Sequence, residues 1–126
     1  MSASNLPADG GGQWQLDLQT GTAWFSDWFH QRLRWPTELK RRRLADLKPI
    51  LPVGAWEALL LGIRDHLERQ VPLDTQLRVE LPGGEIRSWR ILGSTERNSR
   101  GKLVFLAGTM QDISAERRSG DPDGAT

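Results

Sequence analysis

The stretch from Thr75 to Ser114 reads TQLRVELPGGEIRSWRILGSTERNSRGKLVFLAGTMQDIS. In its first part Thr75, Leu77, Val79 and Leu81 alternate with Gln76, Arg78 and Glu80, the period of a half-buried strand. Pro82-Gly83-Gly84 supplies a tight turn, because glycine reaches positive φ without steric cost. A second strand runs from Glu85 to about Glu96, and Asn98 to Gly101 turns the chain again. Lys102 to Ile113 is the third strand, and its near-continuous apolar run suits a central strand buried on both faces. Three strands joined by short turns make an antiparallel meander.

Before the meander, Gly54 to Gln70 carries the pattern of a long helix. On a wheel of 100° per residue Trp56, Leu59, Leu60, Ile63 and Leu67 share one face, and Glu57, Arg64, Asp65 and Glu68 fall away from it. Leu61 projects on the polar side, and a single exposed leucine is ordinary. Pro49 and Pro52 make the preceding stretch irregular. Thr37 can cap a further helical piece in which Glu38 and Arg42 stand four apart, with Lys40-Arg41-Arg42-Arg43 as its solvated face. At the start, Gln13 to Leu18 alternates with Trp14, Leu16 and Leu18 on one side. Gln19-Thr20-Gly21 turns it into a second short strand, Thr22 to Phe25. Ser26 or Asp27 can then cap a short helix, Trp28 to Leu33, that stops before Pro36. An isolated hairpin is unstable, so this first pair must join the meander. The expectation is an α+β domain with a five-stranded antiparallel sheet and the long helix on one face. Its body spans Gln13 to Arg118, between flexible segments Met1–Gly12 and Ser119–Thr126.

A chain of 126 residues has the length of one domain, and 17 basic against 16 acidic residues leave a net charge of +1. That balance gives no global field for nucleic acid or an anionic membrane, so neither is expected as a partner. With no cysteine, disulfides, zinc-thiolate sites, iron–sulfur clusters and thiol nucleophiles are excluded. No apolar run is long enough to cross a bilayer, and no signal-peptide pattern opens the chain. A cytoplasmic protein is expected.

Four segments in order resemble the PAS fold, in the branch of sensory domains that ends in a "DIT" motif. Trp14-Gln-Leu-Asp17-Leu18-Gln-Thr20-Gly21 is similar to the "W-x-x-D-h-x-T-G" first hairpin, and Trp24-Phe25-Ser26-Asp27-Trp28 to the "W-S-x-x-W" segment. Gly84-Glu85-Ile86-Arg87 resembles the "dG-x-h-R" turn and strand. Gly108-Thr109-Met110-Gln111-Asp112-Ile113-Ser114-Ala115-Glu116-Arg117 resembles "G-T-x-x-D-I-T-x-x-R", with Ser114 in place of Thr. The chain departs from the pattern at Leu51-Pro52-Val53-Gly54, which keeps only the proline of "H-P-x-D", and at Ser88, where an aromatic is common. The resemblance covers most of the chain. It implies a signalling module that detects a small molecule, a cofactor or a redox state. Such a module relays the change to an output domain of histidine-kinase or diguanylate-cyclase type, the latter acting in cyclic di-GMP signalling, in cis or in trans.

Candidate residues follow. A strand that ends in Asp112 and continues through Ile113 to Ser114 fixes the direction of the next segment, since both polar side chains can accept unpaired backbone amides. The resemblance makes this the coupling element. A ligand pocket between the long helix and the sheet would be lined by Trp24, Trp28, Leu60, Ile63, Leu77, Val79, Trp89 and Leu106. The same six-tryptophan composition equally suits a core simply filled by large rings. His66 sits at the edge of the apolar stripe and reads as a solvated boundary residue; one histidine is little ground for haem. His30 also reads as a helix-surface residue. Catalysis has no convergent Ser, His and Asp set, no metal cluster is expected, and the cysteine-dependent flavin photosensor is excluded. A ketosteroid-isomerase-like cone would need acidic residues inside an apolar strand face, where only Asp112 stands. Two readings remain open: a small-ligand sensor, and a ligand-free module for homodimerisation or docking.

Overall fold

Strand alternation and the register of the hairpins set which side chains turn inward. The computed structural model describes residues 11–36 and 41–114. Its elements are β1 (Gly12–Asp17), β2 (Thr22–Phe25), α1 (Asp27–Leu33), β3 (Arg41–Arg43), a 3-10 helix (Leu44–Ile50), α2 (Ala55–Arg69), β4 (Leu73–Glu80), β5 (Ile86–Arg97) and β6 (Leu103–Asp112). All strands lie in one antiparallel sheet of order β3-β2-β1-β6-β5-β4. The meander and the first hairpin therefore meet at β1 and β6, at the sheet's centre.

The sheet has six strands where the sequence pattern suggests five. The extra one is β3, the arginine run expected on a helix surface. Arg41, Arg42 and Arg43 pair with Trp24, Ala23 and Thr22 of β2. Arg42 holds this strand down through its side chain, with its guanidinium 3.9 Å from the centre of the Trp35 ring and 3.2 Å from Asp46. A long cationic stem can cover apolar surface while its head stays paired, so three arginines make a viable edge strand. The proposed cap Thr37 and its neighbour Glu38 lie outside the described residues, as do the segments before Gly11 and after Ser114.

The interior is one cluster between the sheet and the helices. From β1 and β2 come Trp14, Leu16, Ala23 and Phe25; from the meander Leu73, Leu77, Val79, Trp89, Ile91, Leu106 and Met110. Its centre is aromatic: the Trp28 and Trp89 rings lie 4.9 Å apart and Phe25 and Phe29 also 4.9 Å. β6 is central as expected, but only Leu106 and Met110 within it are buried. Its outer side is half-covered, because none of the described residues forms a layer there comparable to the helical one. Ser26 occupies the cap position of α1, yet its hydroxyl accepts the Gln13 amide across the hairpin and does not cap the helix.

Helix α2 is rotated relative to the wheel reading. Leu59, Ile63 and His66 are buried, and Leu60 is 42% exposed. The helix lies on β4 with Gly62 over Thr75, where a Cβ would come within 2.7 Å of the Thr75 hydroxyl. That close approach turns the Leu59–Ile63–His66 side to the sheet and Leu60 away from it.

Candidate functional site

The end of β6 is tied back to the start of β5 by a closed set of polar contacts. Asp112 is only 6% exposed at its side chain, and its Oδ2 accepts from Arg87 Nε at 2.8 Å. Its Oδ1 accepts the Ser114 amide at 2.9 Å. The Ser114 hydroxyl in turn accepts the Ser88 amide at 2.8 Å, while the Ile113 amide donates to the Ser88 carbonyl at 2.8 Å. Glu85 pairs with Arg87 from the solvent side at 3.0 Å. Ile113, between the two polar residues, is buried.

This geometry decides the charge state. Burial alone would push the Asp112 carboxyl up, but the Arg87 guanidinium and the Ser114 amide and hydroxyl outweigh it and hold the group below its ordinary value. Arg87 is correspondingly held protonated by Asp112. The result is a clasp: an ionised aspartate, a guanidinium and three backbone amides that fix where the chain leaves the sheet. The Ser114 hydroxyl, expected to accept an unpaired backbone amide, accepts that of Ser88 on β5. Arg87 and Ser88 were not singled out as site residues. Their signal was the turn-and-strand segment Gly84 to Arg87, which places a cation one strand away from Asp112.

The interior side of the clasp leads to the aromatic centre. Asp112 stands opposite Trp89 in the β5–β6 ladder, and Trp89 meets Trp28 of α1. Of the expected pocket residues, Trp28, Ile63, Leu77, Val79, Trp89 and Leu106 converge in this core. Trp24 and Leu60 do not. Trp14 pairs with Phe25, both pointing inward, so the intervening parity sends Trp24 to the opposite face, where it is 41% exposed. There, with Gln15, Asp17, Thr22, Arg41 and Phe105, it borders a surface concavity of about 370 Å³.

Packing inside is close. A Cβ on Gly12 would lie 2.7 Å from ring atoms of both Trp28 and Phe29, and one on Gly93 2.8 Å from the Trp14 ring. Among the described residues five side-chain polar atoms are nevertheless buried with no hydrogen-bond partner: Nε1 of Trp28, Nε1 of Trp89, Nε2 of His30, Nε2 of His66 and, under the edge strand, Nε of Arg42. Both histidines are buried, against the surface positions expected for them. Each spends Nδ1 on a backbone carbonyl, His30 on Pro36 and His66 on Val71, which fixes the Nδ1–H tautomer. Among the described residues no group of three His, Asp or Glu is placed to hold a metal ion. No helix among them is long and apolar enough to cross a membrane.

No protein-family model matches the sequence, and no curated protein matches it significantly. Solved structures do. A sensory box histidine kinase/response regulator from Burkholderia thailandensis superposes with TM-score 0.67 at 22% identity, over 88% of this chain and 82% of that one. The N-terminal domain of a diguanylate cyclase with PAS/PAC sensor from Marinobacter aquaeolei gives TM-score 0.73 at 20% identity, over 85% and 98%. The PAS domain of the fruit-fly ELK potassium channel gives 0.64 at 13%, over 90% and 94%. At such identities the likeness is one of backbone architecture. The chain has the PAS fold.

Proposed function

We propose that this domain is a sensory and interaction module of a signalling protein and not a catalyst. The observation that carries the proposal is the clasp at the end of β6. A strand exit held by Asp112, Arg87, Ser88 and Ser114 moves only with β5, so a shift of the sheet becomes a change in direction of whatever follows Ser114. The two architectural likenesses from a histidine kinase and a diguanylate cyclase support an output domain of one of those types. Replacing Asp112 by Ala in a fusion to a histidine-kinase output domain should change basal autophosphorylation several-fold. Unchanged activity together with an unchanged melting temperature would remove the coupling role from Asp112–Ile113–Ser114.

Between the two modes of input, the filled interior supports a module that works through contacts between proteins, as a homodimer or docked on a partner. The unpartnered indole N–H groups of Trp28 and Trp89 favour the other mode, a small ligand with hydrogen-bond acceptors seated beside Ile63, Leu77, Val79 and Leu106. Buried donors without partners are costly, and a ligand oxygen would satisfy them. Native against denaturing mass spectrometry of the protein purified from its host separates the modes. An added mass that disappears on denaturation establishes the ligand; a bare mass leaves the interaction module.

A further inference from the structure

The sheet-distal side of α2 carries Glu57, Leu60, Leu61 and Arg64, spaced i, i+3, i+4 and i+7 and so gathered on one helix face. That face points away from Leu59, Ile63 and His66, which hold α2 to the sheet. Leu60 is 42% exposed and Leu61 50%, and the four residues border a shallow, apolar-floored concavity of about 360 Å³. Two adjacent exposed leucines with charges of opposite sign at either end are more than scattered surface apolarity.

The arrangement is self-complementary. Glu57 precedes Leu60 by three residues, and Arg64 follows Leu61 by three. A two-fold axis through the midpoint between the leucines, perpendicular to the helix, therefore brings a second α2 antiparallel to the first. Leu60 of each copy meets Leu61 of the other at the centre. Glu57 of each copy comes level with Arg64 of the other, at both ends at once. The same operation places Glu68 beside the other copy's helix start, where the dipole favours a negative charge. A parallel arrangement would instead set like charges against each other.

We infer that this face is the contact between two copies of the chain, an isologous antiparallel α2 pair centred on Leu60 and Leu61 and fixed in register by two Glu57–Arg64 ion pairs. The inference rests on the homodimer reading and gives it a surface. One helix face is small against the roughly 1,200–2,000 Å² of a standard interface, so the dimer is weak and its population depends on concentration. Closed symmetry of this kind is the commonest among oligomers.

Sedimentation velocity of the full chain over a wide concentration range tests it. The expected result is a reversible monomer–dimer equilibrium. Leu61→Lys should weaken it at least tenfold, and so should Glu57→Arg, which sets two arginines face to face. The double variant Glu57→Arg/Arg64→Glu reverses both charges and should restore dimerisation to near the original level. All three changes fall on exposed positions, and an unchanged thermal melt confirms folding. A dimer indifferent to every variant overturns this surface while leaving the homodimer reading intact. A monomer at all concentrations overturns both.

Discussion

Arg87 Nε lies 2.8 Å from Asp112 Oδ2, a charge-assisted hydrogen bond that joins the start of β5 to the last residue of β6. Removing the Asp112 charge leaves Arg87 with only the exposed Glu85 and frees the Ser114 amide. Losing the buried partner of this partly buried cation costs about 1–3 kcal/mol.

The pH dependence of stability follows from the same pair. Asp112 has a folded-state pKa below its unfolded one, so its contribution is complete above the unfolded carboxylate range, near pH 4. It is lost as pH falls through the lower, folded value. The wild type should therefore lose stability on acidification below about pH 4, and Asp112→Asn should flatten that limb in urea titrations run at successive pH values. Asp74 is also held low, by its hydrogen bonds to Arg90. It sits on the exposed outer face, so Asp74→Asn should leave the acid limb nearly unchanged, because exposed pairs contribute little. Equal flattening by the two variants would contradict the assignment.

Two tryptophans that composition alone would treat alike should separate sharply. Trp89 is 1% exposed in the aromatic centre and Trp24 is 41% exposed on the opposite face. Trp89→Ala should cost roughly 3–5 kcal/mol, and Trp24→Ala about 1 kcal/mol or less, the size of one cross-strand contact. Chemical denaturation followed by far-ultraviolet circular dichroism measures both without relying on the ring that was removed.

Backbone approach in the sheet gives a third contrast. A Cβ on Gly108 would fall 1.7 Å from the Leu92 carbonyl oxygen, a backbone atom of β5 that has no rotamer to change. Gly108→Ala should destabilise by more than about 3 kcal/mol, beyond the usual range for overpacking, or abolish soluble expression. At Gly83 the only near atom among the described residues is Arg34 Nη2 at 3.3 Å, the end of a flexible side chain. Gly83→Ala should stay within about 0.5 kcal/mol of the wild type.

The meander, the first hairpin and α2 were legible because each has a strong hydrophobic period. β3 was not: three consecutive arginines have no alternation, and the helix reading rests on Thr37 as a cap, with Glu38 and Arg42 four apart behind it. What makes the strand is backbone pairing with β2 and the stacking of Arg42 on Trp35, a contact between positions that no local period reports. Leu60 was misplaced for a related reason. A wheel centres the stripe on the most apolar residues, whereas the docked face is set by Gly62 lying over Thr75. Trp24 could have been placed correctly, because strand parity opposes it to Phe25, and Phe25 must face inward with Trp14. In the site, Asp112 and Ser114 were visible through the resemblance. Arg87 and Ser88 became site residues only once the β5–β6 register set them beside the exit.

The two ends of the sheet carry a further consequence. β3 is one edge and β4 the other, and open edges invite the growth of endless sheets. One edge is guarded by three arginines, and along the other Asp74, Arg78 and Glu80 are exposed in alternating sign. A second copy approaching β3 edge to edge would bring six cations together. Aggregation through the strands is thereby discouraged on both sides. The least strand-like sequence among the described strands therefore serves where a strand must pair on one side and repel on the other.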